Sequence, residues 1–433
     1  MLHSKDIHFL YGLQKFGIKL GLENIRRLQE FLGHPENDYP IIHIAGTNGK
    51  GSTAAMIASA LTASGYRTGL YTSPHLVNFN ERIRIDAKEI SDTALAGYTA
   101  HLKPRIVSLR STFFEATTAM ALKYFSDEQV DIAVLETGLG GRFDATNAVT
   151  PILSIITSIG FDHTEYLGNT LEAITSEKAG IIKPGIPCIT AVSQSEPLKV
   201  IRKACKENRA PLHIVKDNRG SNIIDSTIEG LTLSNERSLR KDKNLFVSLA
   251  GEHQAQNAGV ALCALELLNE MYGFRLITRR TIHRGLANIS RYSGLRGRMG
   301  VIHKSPLMIA DVAHNPPAVE RLLGSLAMLN YRQFITVFGV MKDKDYRSML
   351  PLIASSSRAV FAVTPKLERS LPSHEIVREL HRAGVKCYDG NDVASAIPMA
   401  VSECRPDEPI LLFGSHLVVG EAMEWLKNDR SRM

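Results

Sequence analysis

Cysteine, tryptophan and long apolar runs are the scarce features of this 433-residue chain, which holds five cysteines and one tryptophan. The cysteines, Cys188, Cys205, Cys263, Cys387 and Cys404, are odd in number and show no CxxC spacing. That pattern excludes a disulfide framework, argues against a thiolate zinc site, and points to a reducing, cytoplasmic setting. No apolar stretch approaches the about 18–20 residues that a membrane helix requires. The first segment, MLHSKDIHFLYGLQKFGIKLGLENI, is broken by polar residues throughout, with no compact apolar core before a small-residue cleavage site. The expectation is a soluble, non-secreted protein without a membrane partner. Neither sign of charge dominates, because 51 basic and 44 acidic residues leave a formal net charge of +7. A modest excess spread along the chain permits anionic ligands and fits a nucleic-acid surface poorly. Internal repeats, low-complexity tracts and any Ser-His-Asp or reactive-cysteine arrangement are also missing.

What is present is ordinary in amount and regular in order. At 44% hydrophobic and 22% charged the composition is that of a globular protein, and the length predicts two or three domains. Short β-branched runs (Ile41 to Ala45, Val130 to Glu136, Ile152 to Ser158, Ile186 to Ala191) alternate with helical periodicity, as in Ser52 to Ser64 and Glu115 to Phe125. Continuous apolar strands between helices predict a parallel sheet covered on both faces. The rhythm restarts after Ser293, with strands at Leu307 to Val312, Phe334 to Gly339, Arg358 to Thr364 and Pro409 to Gly414, and helices from near Pro317, Ser373, Asn391 and His416. The Gly- and Arg-rich segment Arg291 to Arg298 is the natural junction, giving domains 1–293 and 294–433. Between Asp217 and Asn244 the chain is polar, with a basic stretch from Arg237 to Lys243, and reads as a solvated loop or hairpin.

Four strand ends carry chemistry. After Ile41 to Ala45 comes Gly46-Thr-Asn-Gly-Lys-Gly-Ser-Thr53, a strand running through a glycine-rich turn into a helix. That architecture aims backbone N–H groups and a helix N-terminus at phosphate. In this reading Lys50 reaches the terminal phosphates and Ser52, or Thr53 in its place, offers a hydroxyl to Mg²⁺; the plain alternative is a glycine turn. Glu136 ends a buried strand and is followed by glycines, where it either holds Mg²⁺ or serves as a loop acid. His163, in Gly160-Phe-Asp-His, is a ligand or a structural histidine, and Lys178 is a site residue or a snorkelling helix lysine. In the last third, Asp311 and His314 of Asp311-Val-Ala-His-Asn-Pro suggest a second surface closing over the first, with Asp311 as a helix cap the plain alternative.

Together these motifs resemble the folylpolyglutamate synthase and dihydrofolate synthase family, the folate branch of the Mur ligase superfamily. The resemblance also rests on Phe16-Gly-Ile-Lys-Leu-Gly, Ser73-Pro-His-Leu, Asn80-Glu-Arg-Ile, Phe114-Glu-Ala-Thr-Thr, Glu177-Lys-Ala-Gly, Gly251-Glu-His-Gln-Ala-Gln-Asn257 and Gly297-Arg-Met. The glycine between Lys50 and Ser52 is itself the folate-branch form. The fold implied is α/β: a P-loop, Mur-ligase-like central domain with a parallel sheet, plus a smaller Rossmann-like C-terminal α/β domain.

The resemblance further implies ATP bound by Asn48, Gly49, Lys50, Gly51, Ser52, Asn257, Arg298, Asp311 and His314. It implies two Mg²⁺ sites drawing on Ser52, Glu136 and His163, and Lys178 carried as a carbamate. Ile18, Lys19, Leu20, Ser73, Thr112, Phe113, Phe114, Glu115, Phe143, Asp144 and Ala145 fall where dihydropteroate or folate binds. Lys50, His163 and Lys178 are the expected catalytic residues. The implied reaction is ATP-dependent ligation of L-glutamate to dihydropteroate or to the γ-carboxylate of a reduced folate through an acyl phosphate, in a monomer. A monofunctional folylpolyglutamate synthase, a cell-wall Mur-type ligase and a non-enzymatic nucleotide switch are the rival readings.

Overall fold

A strand that is apolar on both faces has to be covered on both, and the helices between successive strands supply that cover. The computed structural model describes residues 2–17, 19, 21–215, 222–235 and 242–428 and contains this arrangement twice. The first sheet comprises β1 (Ile41–Ala45), β2 (Thr68–Tyr71), β3 (Ile83–Ile85), β4 (Lys88–Glu89), β5 (Ile132–Glu136), β6 (Leu153–Ile156), β7 (Cys188–Thr190) and β8 (Leu212–Ile214). Their spatial order is β4-β3-β2-β5-β1-β6-β7-β8. Pairing is parallel from β2 through β8, and β3 and β4 add an antiparallel edge. Every residue of β1 and β5 is buried, as their unbroken apolar runs require.

The polar segment expected to be a solvated loop or hairpin is more ordered than that. β9 (Asn222–Thr227), β10 (Gly230–Asn235) and β11 (Asp242–Val247) form an antiparallel meander. Leu231, Leu233, Leu245 and Val247 recur at period two, so one face joins the core of the first sheet. Residues 236–241, with most of the basic stretch, lie outside the described residues, as do Ile18 and Leu20.

The second sheet comprises β12 (Gly300–Lys304), β13 (Leu307–Ala310), β14 (Phe334–Phe338), β15 (Ser357–Val363), β16 (Cys387–Asn391) and β17 (Ile410–Phe413), ordered β12-β13-β17-β14-β15-β16. Only β12 runs antiparallel to its neighbour. Separate hydrophobic clusters cover its two faces. Among the described residues no helix is long and apolar enough to cross a membrane, and all five cysteines are free thiols.

The helix Lys50–Ser64 follows the glycine turn and is buried on almost every side, lying between the first sheet and the helices His253–Met271 and Arg279–Leu286. Such all-round burial demands small residues where helices cross. At Gly285 an added Cβ would stand 2.6 Å from Ala60 Cα and 2.7 Å from Ser59 O, both backbone atoms that cannot step aside. Gly285→Ala is therefore expected to destabilise the fold by about 1–3 kcal/mol in a urea melt, the usual cost of overpacking. Gly97→Ala, in the helix Asp92–Leu109 where nothing lies within 4 Å of the new methyl, serves as the control and should be neutral or mildly stabilising.

Candidate active site between the two sheets

In open α/β sheets ligands bind beyond the carboxyl ends of the strands, and β2, β5, β1 and β6 are neighbours. The loops after them therefore leave one edge side by side. Beyond Ala45 the chain turns through Gly46 (φ 153°) and Gly49 (φ 87°). A Cβ at Gly46 would meet Thr157 Oγ1 at 2.0 Å, and one at Gly49 would meet Asn257 Oδ1 at 2.5 Å, so both backbone shape and close approach demand glycine. Asn48 is fixed to the loop after β6: its N–H donates to Ser158 Oγ (3.1 Å), and its carbonyl accepts from Thr157 Oγ1 (2.8 Å) and Ser158 Oγ (2.9 Å). Asn257 Nδ2 donates to Gln254 Oε1 at 2.9 Å, which sets its amide against Gly49. Ser52 and Thr53 are buried in the first helical turn, and Thr53 Oγ1 has no partner.

Two ammonium groups meet on one carbonyl. Lys50 Nζ donates to Gly46 O (3.1 Å) and Thr47 O (3.3 Å), and Lys178 Nζ donates to the same Gly46 O (3.0 Å). Burial, aided by the Lys50 charge, brings the Lys178 ammonium down to about 7, so much of this amine is neutral near pH 7. Burial likewise lowers His163 to about 4, with Asp162 opposing the shift and Lys344 adding to it; the imidazole is neutral at pH 7. Glu136 Oε2 accepts from Ser73 N–H at 3.1 Å. Burial raises the Glu136 carboxyl, while Lys50, the Ser73 amide, Arg298 and Arg82 pull it back. A Cβ at Gly51 would sit 3.3 Å from Arg298 Nη2 and 3.5 Å from Glu136 Oε2, so loop, carboxylate and guanidinium share one small space.

The second sheet presents the same kind of edge, since β13, β17 and β14 are neighbours. Asp311, one residue beyond β13, accepts from Met299 N–H (2.8 Å) and Ala313 N–H (2.7 Å). Burial raises its carboxyl against the pull of Arg298. Asp311 does not cap a helix; Asn315 does, accepting from Ala318 N–H at 3.0 Å ahead of Pro316–Met328. His314 Nδ1 lies 2.8 Å from Val312 O.

The two edges are clasped together in part by residues without an expected role, Asp162, Asn315 and Lys344. Asp162 receives Lys344 Nζ at 2.8 Å and Asn315 Nδ2 at 3.1 Å, with His314 Nε2 at 3.6 Å. Asn315 also pairs with the Asn48 amide at 3.3 Å. Burial alone would raise the Asp162 carboxyl, but nearby His314 and the Lys344 and His163 charges hold it far below the carboxylate range. The available sequence signal was position: Lys344 follows β14 and Asn315 follows β13.

The residues expected at the pterin fall into two groups. Thr112 and Glu115 form a capping box, Thr112 N–H to Glu115 Oε2 at 2.6 Å and Glu115 N–H to Thr112 Oγ1 at 3.2 Å, and Glu115 Oε2 also accepts from Asn24 Nδ2 at 3.3 Å. Asp144 accepts from Leu139 N–H (2.8 Å), Thr146 N–H (3.0 Å) and Thr146 Oγ1 (2.5 Å), shaping its own loop. Lys19 Nζ donates to Arg110 O at 2.6 Å, and Ala145 is buried. Phe113 stacks on Tyr11, Phe114 packs against Tyr71, and Phe143 is exposed. Ser73 stands beside Glu136 rather than apart from it.

Comparison with known proteins gives this geometry a family. Residues 44–265 match the Mur ligase middle domain and residues 297–416 the Mur ligase glutamate ligase domain. The chain is 35% identical over 434 residues to the dihydrofolate synthase/folylpolyglutamate synthase of Bacillus subtilis, covering 97% of this chain and 98% of that protein. It superimposes on the folylpolyglutamate synthase of Thermotoga maritima with a TM-score of 0.84 at 32% identity, over 99% and 98% of the two chains. The Escherichia coli FolC structure in complex with DHPP and ADP gives a TM-score of 0.83 at 30% identity, over 98% of each chain. With its phosphate loop, buried strand-end carboxylate and facing second sheet, this chain belongs to the folylpolyglutamate synthase/dihydrofolate synthase family of Mur ligases.

Proposed function

We propose that the protein is an ATP-dependent ligase that joins L-glutamate to the carboxylate of dihydropteroate and to the γ-carboxylate of reduced folates. The observation that carries this reading is the convergence of Lys50, Glu136, Lys178 and the Arg298–Asp311 pair where two clasped strand edges face each other. The likeness to a relative solved with DHPP and ADP supports both a nucleotide and a pterin acid as substrates.

ATP would lie with its phosphates on the N–H groups of Asn48, Gly49, Lys50, Gly51 and Ser52, at the N-terminus of Lys50–Ser64. Asn257 and Arg298 would hold it from behind, and Asp311 would take the ribose with His314 nearby. The acceptor carboxylate attacks the γ-phosphorus, the bond to ADP breaks, and an acyl phosphate forms. The free amine of glutamate then attacks the acyl carbon, phosphate leaves with the C–O electron pair, and the ammonium loses a proton to give the amide. Charge builds on phosphoryl oxygens in the first step, so Lys50 and Arg298 stabilise it without supplying a nucleophile. Clasped edges keep water from the acyl phosphate.

The oxygen donors fit Mg²⁺. The hydroxyls of Ser52 and Ser73 and the Glu136 carboxylate are hard ligands, and His163 is a neutral imidazole. Among the described residues no three His, Cys, Asp or Glu side chains gather into an all-protein cage, which suits a cation that keeps water and phosphate in its shell. Two bound Mg²⁺ ions would offset phosphate charge and polarise the γ-phosphoryl group. The Lys178 amine, with a substantial neutral fraction near pH 7, is fit to take up CO₂ as a carbamate and so become anionic. We place the boundary between ATP-binding and glutamate-ligase parts at residue 294. A monomer suffices, since one chain supplies both strand edges, and the free thiols favour a cytoplasmic setting.

Lys50→Ala is expected to lower ADP release that depends on both acceptor and glutamate by about 10²–10³-fold or more; full residual activity would refute the phosphate-loop role. Lys178→Ala is expected to be inactive and to recover in part with added acetate or propionate. The same lysine sets a pH dependence. Its amine is charged below about 7, so carbamate-dependent turnover should fall as pH drops through that value and be restored by bicarbonate. A wild-type rate in Lys178→Ala without rescue would remove the role.

A further inference from the structure

Arg82 is a buried cation that the reading above leaves unused. It ends the short turn Phe79–Arg82 and is only 7% exposed. Its Nε donates to His75 Nδ1 at 2.8 Å. The His75 proton is thereby fixed on Nε2, which donates to the Tyr11 hydroxyl at 3.1 Å. Its Cζ stands 5.1 Å over the Phe113 ring, and Phe113 is itself stacked on Tyr11 at 5.8 Å and edge-on to Phe79 at 5.9 Å. The guanidinium is thus held in one orientation by a ring nitrogen and an aromatic face.

Its remaining donors have nothing to do within the chain. Among the described residues no carboxylate oxygen lies within 4.0 Å of Arg82, and neither Nη group donates to a protein atom. Glu81, the adjacent acid, is saturated by the N–H groups of Leu76, Val77 and Asn78 and by Arg296. Burial opposes its charge, and Glu136 and Glu81 offset that only from beyond contact distance; with Nε spent on His75, the Nη1/Nη2 edge of the planar fork remains to take a carboxylate bidentately. Position completes the case. Thr72 N–H donates to Arg82 O at 3.0 Å, and the next residue, Ser73, donates to Glu136. Consecutive amides beyond β2 therefore set Arg82 and Glu136 beside each other, with Phe113 on one side and the phosphate loop on the other.

Resting on the ligase reading, we propose that Arg82 binds the acceptor's reactive carboxylate, holding an aromatic acid against Phe113 with the carboxylate turned toward the γ-phosphate of ATP. The test is direct titration of the wild type, Arg82→Gln and Arg82→Lys with dihydropteroate and with its carboxamide, with ATP titrated separately. The wild type should prefer acid over amide by about tenfold to a hundredfold, the range for a hydrogen-bonded charge pair. Arg82→Gln should bind both as weakly as the wild type binds the amide, with ATP affinity unchanged. Arg82→Lys, which keeps the charge and loses the fork, should show an intermediate preference and also guards against misfolding of the glutamine variant. Retention of the wild-type acid preference in either variant, with wild-type turnover intact, overturns the role of Arg82 alone. Failure of the wild type to bind either pterin overturns the dihydropteroate part of the ligase reading together with it.

Discussion

Glu136 is a carboxylate enclosed at the end of a buried strand, and the site is organised around what that burial requires. An isolated buried carboxylate would neutralise itself by taking a proton. Here Lys50, Arg298 and Arg82 surround it and the Ser73 amide donates to it. Each comes from a different piece of chain: the phosphate loop, the segment entering the second sheet, the turn after β2 and the loop beside it. The acid thus draws together four separate stretches of the chain. The site also holds more fixed cations than one carboxylate needs, and the surplus faces where polyanionic substrates would bind.

The second constraint is that two sheets must meet edge to edge without fusing into one core. Each sheet has its own main hydrophobic cluster, and apolar contact between them is limited to a few residues such as Ala250, Ile228 and Leu76. Polar groups add to the joining: Asp162 with Lys344 and Asn315, Asn48 with Asn315, and Glu81 with Arg296. The charged ones among these clasps are worth little when exposed and more when enclosed. Leu76 adds a steric match, since a Cβ at Gly420 would stand 2.0 Å from its carbonyl oxygen.

The legible parts of the sequence were those whose cause is local. β1, β5, β14 and β17 lie within a residue or two of their expected bounds because unbroken β-branched runs leave little choice. The phosphate loop was legible because strand, glycines, lysine and helix are contiguous. β2, β3, β4 and β8 were missed, being two to four residues long and too short for periodicity to register. The meander β9–β11 was missed because its alternation is masked by polar composition. Lys344 met no pattern and its partner Asp162 lies 182 residues away, while Asp162 and Arg82 each sit inside a recognised motif without an assigned task. Thr112 and Glu115 carry a second legible signal, since Thr-Phe-Phe-Glu is a capping box that opens the helix Phe113–Asp127.

The central claim is that the acceptor's carboxylate is activated by phosphoryl transfer from ATP before glutamate attacks it. Turnover of dihydropteroate labelled with ¹⁸O in its carboxylate, with ATP and L-glutamate, tests this directly through the mass of the released phosphate. The account predicts that one ¹⁸O appears in inorganic phosphate for each amide formed. Amide formation with unlabelled phosphate would contradict it.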